Sequence, residues 1–313
     1  MWGSFCSDCV GLVCDPLPCK VRGFWHWIDY LRRDAEACGK TPLFLNLDET
    51  SISQWWSQPK GVVALRPRWR EGMPPHAAVP ANRRRGAVTL CALLTHRTDV
   101  QPLLPQLVLG NRHVLPRAFC AQMSAAVDPS VHFWSERSGW MSQAVLIQYL
   151  SLLVDVLDGL PHLQGILVMD CAPAHMGQAV LEFAKDHGLK VCFVPAGCTG
   201  YLQPLDVGCF SPLKAFLRRE ARDVLSTKGS CPKLDWALAI NKAAAQFLRS
   251  RRWEHVFCQC GILGHRSNLT GFMQEMAGKY AEVEPAAVAP SPHVIAGLVP
   301  RNRHVLYHLL FPH

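Results

Sequence analysis

LQGILVMDCAPAHMGQAVLEFAKDHGLKVCFVP, residues 163–195, is the stretch that decides the fold class. Its first eight residues are an apolar run that ends in Asp170. Gln178–His187 follows with helical spacing and is closed by Gly188, a natural helix stop. LKVCFVP, residues 189–195, is a second apolar run. Runs apolar at nearly every position suit strands covered on both faces, which is the habit of parallel sheets. Strand, helix, strand at this spacing predicts a right-handed parallel crossover, and so an α/β protein.

Working outward, PLFLNLD (42–48) reads as another buried strand that ends in a carboxylate, Asp48. AVTLCALL (87–94) and QPLLPQLVLG (101–110), separated by a polar THRTDV, read as a hairpin-like pair. Ser142 is placed to cap a helix running to about Leu157, with Val145, Leu146, Tyr149, Leu152, Leu153 and Val156 on one face. A short helix is expected over Gly23–Ala37, and further helices over 211–227 and Asp235–Arg252. Pro285–Pro292 resembles a linker. The organisation expected is an irregular Cys-rich leader (1–40), a central domain (41–227) and a helical or irregular C-terminal extension (228–313).

The 313 residues are 49% hydrophobic, enough for a core, with 32 basic against 24 acidic side chains and a formal charge of +8. No apolar stretch reaches the roughly 18 residues of a membrane span. The best, Val145 to Leu160, is broken by Gln148, Asp155 and Asp158. The N-terminus lacks a basic segment followed by an apolar one, so a secretory signal is not expected and the 14 cysteines are read as thiols in a reducing compartment. Cys6, Cys9, Cys14 and Cys19 leave a zinc site open, but their uneven spacing favours thiols. The basic lean is uneven. Lys60, Arg66, Arg68, Arg70, Arg83, Arg84 and Arg85 face only Glu71 within 51–86, beside Trp55, Trp56 and Trp69. Lys214, Arg218, Arg219 and Arg222 fall on the helix expected at 211–227. Both groups are candidate contacts to a nucleic-acid backbone; a solvated face is the plainer alternative.

An Asp at the end of an apolar strand is costly unless it is bonded, paired or metal-bound. Asp48 and Asp170 both sit so, and Asp206 follows the last strand after a turn-rich loop. Their surroundings, NLDET (46–50), VMDCAPAH (168–175) and VPAGCTGYLQPLDVGCFSPLK (194–214), occur in this order. The ordered set resembles the DDE superfamily endonuclease domain of pogo/Tigger-type transposases, with their jerky and centromere protein B relatives. RRGAVTLCALLTHRTDVQPLLPQLVLG and SGWMSQAVLIQYL extend the likeness over about residues 41–225. Between Asp170 and Asp206 lie 35 residues, near the spacing of the pogo and mariner group.

The resemblance implies an RNase H-like mixed five-stranded sheet flanked by helices. It implies that Asp48, Asp170 and Asp206 converge as catalytic and metal-binding acids, with Asp48 bridging two Mg²⁺ or Mn²⁺ ions. Hard divalent ions need oxygen ligands, and two of them can stabilise the attacking and leaving oxygens of a phosphodiester. DNA is then the partner, the nucleus the compartment, no membrane is involved, and a homo-oligomer is compatible. His175 and Gln203 are supporting residues: His175 to orient a carboxylate, to touch a phosphate or simply to pack, and Gln203 to shape the turn before Asp206. Glu49 is expected on the opposite face of its strand from Asp48.

Two departures weigh against turnover. The family's Asp-Asn is here Asp170-Cys171, and a thiol is a poor substitute for an amide near a hard ion. About 40 residues precede the first strand, too few for the helix-turn-helix region of complete pogo-type transposases. A non-enzymatic DNA- or chromatin-binding protein is therefore the alternative; an unrelated hydrolase on the same fold is a third reading.

Overall fold

The computed structural model describes residues 16–53, 86–228, 231–263, 269–278, 289–290, 292–299 and 307–310. Its centre is one mixed sheet of six strands: β1 (Thr41–Ser53), β2 (Ala87–Thr95), β3 (Gln106–Asn111), β4 (Val131–Glu136), β5 (Leu163–Asp170) and β6 (Lys190–Val194). Their order across the sheet is β4-β3-β2-β1-β5-β6. β1, β2 and β3 run antiparallel in succession, while β5 and β6 continue beside β1 in parallel. That is the RNase H-like arrangement, with β4 added in parallel at the outer edge of β3.

The parallel β5–β6 crossover forms as the opening stretch predicts, through the helix at Gln178–Asp186. The sheet has six strands rather than five. The extra one, VHFWSE, buries Val131 and Phe133 in strict alternation, a period-two signal short enough to pass unread. β3 begins at Gln106 rather than 101, because Pro102 and Pro105 withhold donors there. Gln101 instead turns back and caps β2: its side chain accepts from Thr95 N–H at 2.7 Å and donates to the Leu93 carbonyl at 3.3 Å.

The first helix, α1, spans Pro16–Ala37, seven residues longer at its start than Gly23–Ala37. Prolines at 16 and 18 fall in its first turn, where a missing N–H costs nothing. Phe24, Trp27, Ile28 and Leu31 are fully or almost fully buried, so this segment is part of the domain's core rather than an irregular leader. The helix α2 covers Arg117–Ala126, and α3 covers Gln143–Asp158. The cap of α3 is as expected, with Ser142 Oγ accepting from Val145 N–H at 3.3 Å. The helix α4 is Gln178–Asp186. A π-helical segment, Leu205–Cys209, leads into α5, Phe210–Lys228. The helix α6, Lys233–Lys242, continues as a second π-helical segment, Ala243–Leu248.

The loop between β4 and α3 is held from several sides. Gly139 adopts φ +72°, and a Cβ there would lie 2.8 Å from the backbone nitrogen of Asn111. Gly139→Ala is therefore expected to cost about 2 kcal/mol or more in a denaturant titration, from left-handed strain and a backbone clash together. A midpoint equal to wild type would refute that packing.

Candidate active site

Register brings the first two acids together. Asn46 of β1 pairs with Val168 of the parallel neighbour β5, so two residues further on Asp48 lies beside Asp170 at the same end of the sheet. Asp206 arrives by a different route. Thr199–Leu202 forms one helical turn, and Asp206 then sits in the π-helical segment ahead of α5. π-helical turns are uncommon and frequent at functional sites.

Asn46 fastens this loop to the sheet. Its fully buried side chain donates to the Val168 carbonyl at 2.9 Å and accepts from Leu205 N–H at 2.8 Å. One amide thus ties β1, β5 and the residue before Asp206. The sequence reading assigned it no role, although a buried Asn inside an apolar strand signals an obligatory hydrogen-bond partner.

The acids feel one another. Burial pushes the Asp48 carboxyl up to about 8; the charges of Asp206, Glu49 and Asp170 push the same way, against the lowering effect of the Glu49 N–H. That N–H reaches Asp48 Oδ1 at 2.8 Å. Asp206 is also raised, by burial and then by the charge of Asp170, with Lys214 opposing. For Asp170, burial raises the carboxyl, but a hydrogen bond and charge from His175 and the Ala172 N–H outweigh it and bring it below its ordinary value.

His175 is fully buried and joins two carboxylates. Nδ1 lies 2.6 Å from Asp170 Oδ1, and Nε2 lies 3.0 Å from Glu49 Oε1. Burial alone would lower its pKa; the two carboxylate bonds win and lift it to about 10. As an imidazolium it donates at both nitrogens. Glu49 does alternate with Asp48 along β1, yet it is tied to the site through this histidine. Spacing within a strand gave no sign of that link, which depends on the turn after β5.

The remaining predicted residues divide. Gln203 is fully buried; its backbone ends the turn, while neither side-chain amide atom finds a partner among the described residues. Lys214 lies close enough to Asp206 to act on its charge, and Lys214, Arg218 and Arg222 follow at four-residue steps along one face of α5. Arg218 and Arg222 are exposed. Arg66, Arg68, Arg83, Arg84 and Arg85 lie outside the described residues, as do Cys6, Cys9 and Cys14. The Cys171 thiol donates toward β6: its Sγ is 3.3 Å from the Val194 carbonyl.

Hard carboxylate oxygens, crowded together with Asp48 held far above its ordinary value, suit divalent cations. Among the described residues, no three His, Cys, Asp or Glu side chains are drawn in to ligating spacing. The donor chemistry of the three carboxylates fits such ions.

A mixed sheet of RNase H-like order with acids gathered at the end of its parallel strands defines a class of phosphodiester-processing domains. The sequence profile of the DDE superfamily endonuclease family matches residues 83–252, and the chain belongs to that family as a pogo/Tigger-type DDE domain. Asp170 and Asp206 fall inside the matched span, and Asp48 lies upstream of it. A mouse (Mus musculus) pogo transposable element with KRAB domain is 21% identical over 220 residues, covering 66% of this chain and 34% of that protein. A protein of Cochliobolus lunatus named MFS-type transporter clz9 is 30% identical over 84 residues, 26% of this chain and 9% of that one. The chain thus spans about a third or less of these curated relatives. No helix among the described residues is long and apolar enough to cross a membrane. The Mos1 transposase paired-end complex with left transposon end aligns over 80% of this chain and 65% of that one, at 16% identity and a TM-score of 0.39.

Proposed function

We propose that this domain is a metal-dependent DDE/DDD endonuclease that cleaves DNA phosphodiester bonds in the nucleus. The observation that carries the reading is the position of Asp48: a carboxyl buried to 8% exposure, beside Asp170 and within the field of Asp206. A buried carboxyl with two further acids beside it, Asp170 half-buried and Asp206 exposed, is costly unless a cation relieves the charge, and His175 bonds Asp170 but not Asp48.

In this reading Asp48, Asp170 and Asp206 would hold two Mg²⁺ or Mn²⁺ ions. When bound, the ions neutralise charge on the scissile phosphate and activate a water or a 3′-hydroxyl. His175 fixes the Asp170 carboxylate by its bond to Oδ1 and is itself fixed by Glu49. Gln203 shapes the turn that presents Asp206. Lys214, Arg218 and Arg222 receive the DNA backbone along α5, and Arg66, Arg68, Arg83, Arg84 and Arg85 supply further backbone contacts. Cys171, bonded toward β6, stands where the family's Asn stands without loosening Asp170, whose Oδ1 also accepts from Ala172 N–H at 2.9 Å.

The test is plasmid nicking in Mg²⁺ or Mn²⁺ by wild type and by Asp170→Asn. Wild-type nicking that requires the metal and falls to background in the variant is expected. Equal background in both, with salt-sensitive DNA binding retained, would replace the enzyme with a non-enzymatic DNA-binding protein.

A further inference from the structure

Trp140 is the most exposed large apolar side chain among the described residues, at 72%. One exposed tryptophan on a surface is unremarkable by itself. This one is presented by a fixed loop at a particular place. The Gly139 carbonyl accepts from Thr89 Oγ1 at 3.1 Å, and Trp140 N–H donates to Ser138 Oγ at 3.2 Å. Met141 packs against the core, and Ser142 caps α3. The backbone on both sides of the indole is anchored, while the indole itself makes no ring or cation contact among the described residues.

The loop stands at the acid end of the sheet. Thr89 pairs with Ser51, three residues beyond Asp48 on β1, a step of about 10 Å along a strand. The loop's other end, Gln143, fills the space against Gly177, two residues after His175. The loop therefore borders the Glu49–His175 side of the acid cluster. Two exposed arginines belong to the same neighbourhood: Arg137 three residues before Trp140 in this loop, and Arg112 in the turn after β3, next to the Asn111 backbone on which Gly139 rests.

An exposed aromatic ring with exposed arginines in neighbouring segments is what single-stranded nucleic acid binds: bases stack on the ring and phosphates meet the arginines. We propose that Trp140 is a stacking platform for an unpaired nucleobase of the DNA strand presented to Asp48, Asp170 and Asp206, with Arg112 and Arg137 on its phosphates. The proposal rests on the DNA reading above and adds a residue that positions a strand end or a splayed base. Trp140 takes no part in the chemistry.

The experiment is fluorescence anisotropy in EDTA, with the full chain and a labelled duplex bearing a three-nucleotide single-stranded overhang. A second duplex carries the same overhang with abasic sugars. Wild type is expected to bind the base-bearing overhang about tenfold more tightly, within the range of one stacked base. Trp140→Ala should bind both duplexes equally, with an unchanged melting temperature because the ring is exposed. Trp140→Phe should keep most of the preference. Trp140→Leu, apolar but not aromatic, should lose it. Arg112→Ala and Arg137→Ala should weaken both duplexes alike and lower the salt slope by about one each. Wild-type binding without preference for bases, or a preference that survives in Trp140→Ala or Trp140→Leu, would overturn the platform and leave the DNA reading standing. No DNA binding at low salt would overturn both.

Discussion

Asp48→Asn is expected to melt higher than wild type at pH 8 in the absence of divalent metal, while losing cleavage. The carboxyl stands near 8 in the folded chain against an ordinary 3.8, first because it is buried and then because Asp206, Glu49 and Asp170 crowd it. Between about pH 4 and 8 the folded state keeps a proton that the unfolded chain has released. Folded stability therefore falls as pH rises through that window. By pH 8 the cost approaches about 5 kcal/mol, at 1.36 kcal/mol for each of about four units of displacement. Asparagine has no such slope and still accepts from the Glu49 N–H. His175, lifted to about 10, also contributes stability that fades on the alkaline side, but between about pH 6.5 and 10, and it remains in the variant. Comparing the two proteins thus isolates Asp48. Melting curves at pH 5 and pH 8 should show the gap opening at the higher pH. Mn²⁺ should raise the wild-type melting temperature and leave the variant's nearly unmoved. A variant that melts below wild type at both pH values, or equal metal shifts in both proteins, would remove Asp48 from the metal site. The expectation is of a site that gives up folding stability in order to bind cations.

Asn46→Ala is expected to lower stability by about 2–4 kcal/mol and, at temperatures well below melting, to cut cleavage by about 10- to 100-fold. The stability cost follows from two orphaned buried groups, the Val168 carbonyl and the Leu205 N–H, and the small cavity left between them. The cleavage loss follows from position, because Leu205 N–H is the tether beside Asp206 and a third acid free to drift no longer meets the other two. Asn46→Asp keeps an acceptor for Leu205 but loses the donor to Val168 and buries a further charge near Asp48, so it should be the more damaging. Denaturant midpoints and nicking rates measured side by side separate the effects. Lower stability with unchanged turnover at low temperature would make Asn46 a strand tie and nothing more.

Much of this was legible in the residues. The apolar runs at 42–48, 87–94, 163–170 and 189–195 become strands, and Ser142 caps its helix, because local hydrophobic pattern and capping chemistry operate over a few residues. What failed locally failed for stated reasons. β4 is short, residues 101–105 carry two prolines, and the first seven residues of α1, with prolines at 16 and 18, read as irregular although the helix from Gly23 was expected. At the site, apolar runs that end in Asp48 and Asp170 pointed to two of the acids, and the motif order to the third. Glu49 and Asn46 stood beside Asp48 in the same five residues, yet no spacing rule connects Glu49 to His175, 126 positions away, or Asn46 to Leu205, 159 away.

The sequence by itself determined the α/β class and the parallel crossover, since both are written in runs and spacings of nearest neighbours, and its ordered motifs singled out Asp48, Asp170 and Asp206 as candidate acids through their family resemblance. Only the tertiary structure decided that His175 bridges Asp170 to Glu49, that Asn46 anchors the loop before Asp206, and that Trp140 stands exposed at the acid end of the sheet. Those are consequences of which elements pack together. Burial and cross-sheet register set them, and neither is a property of any single segment of the chain.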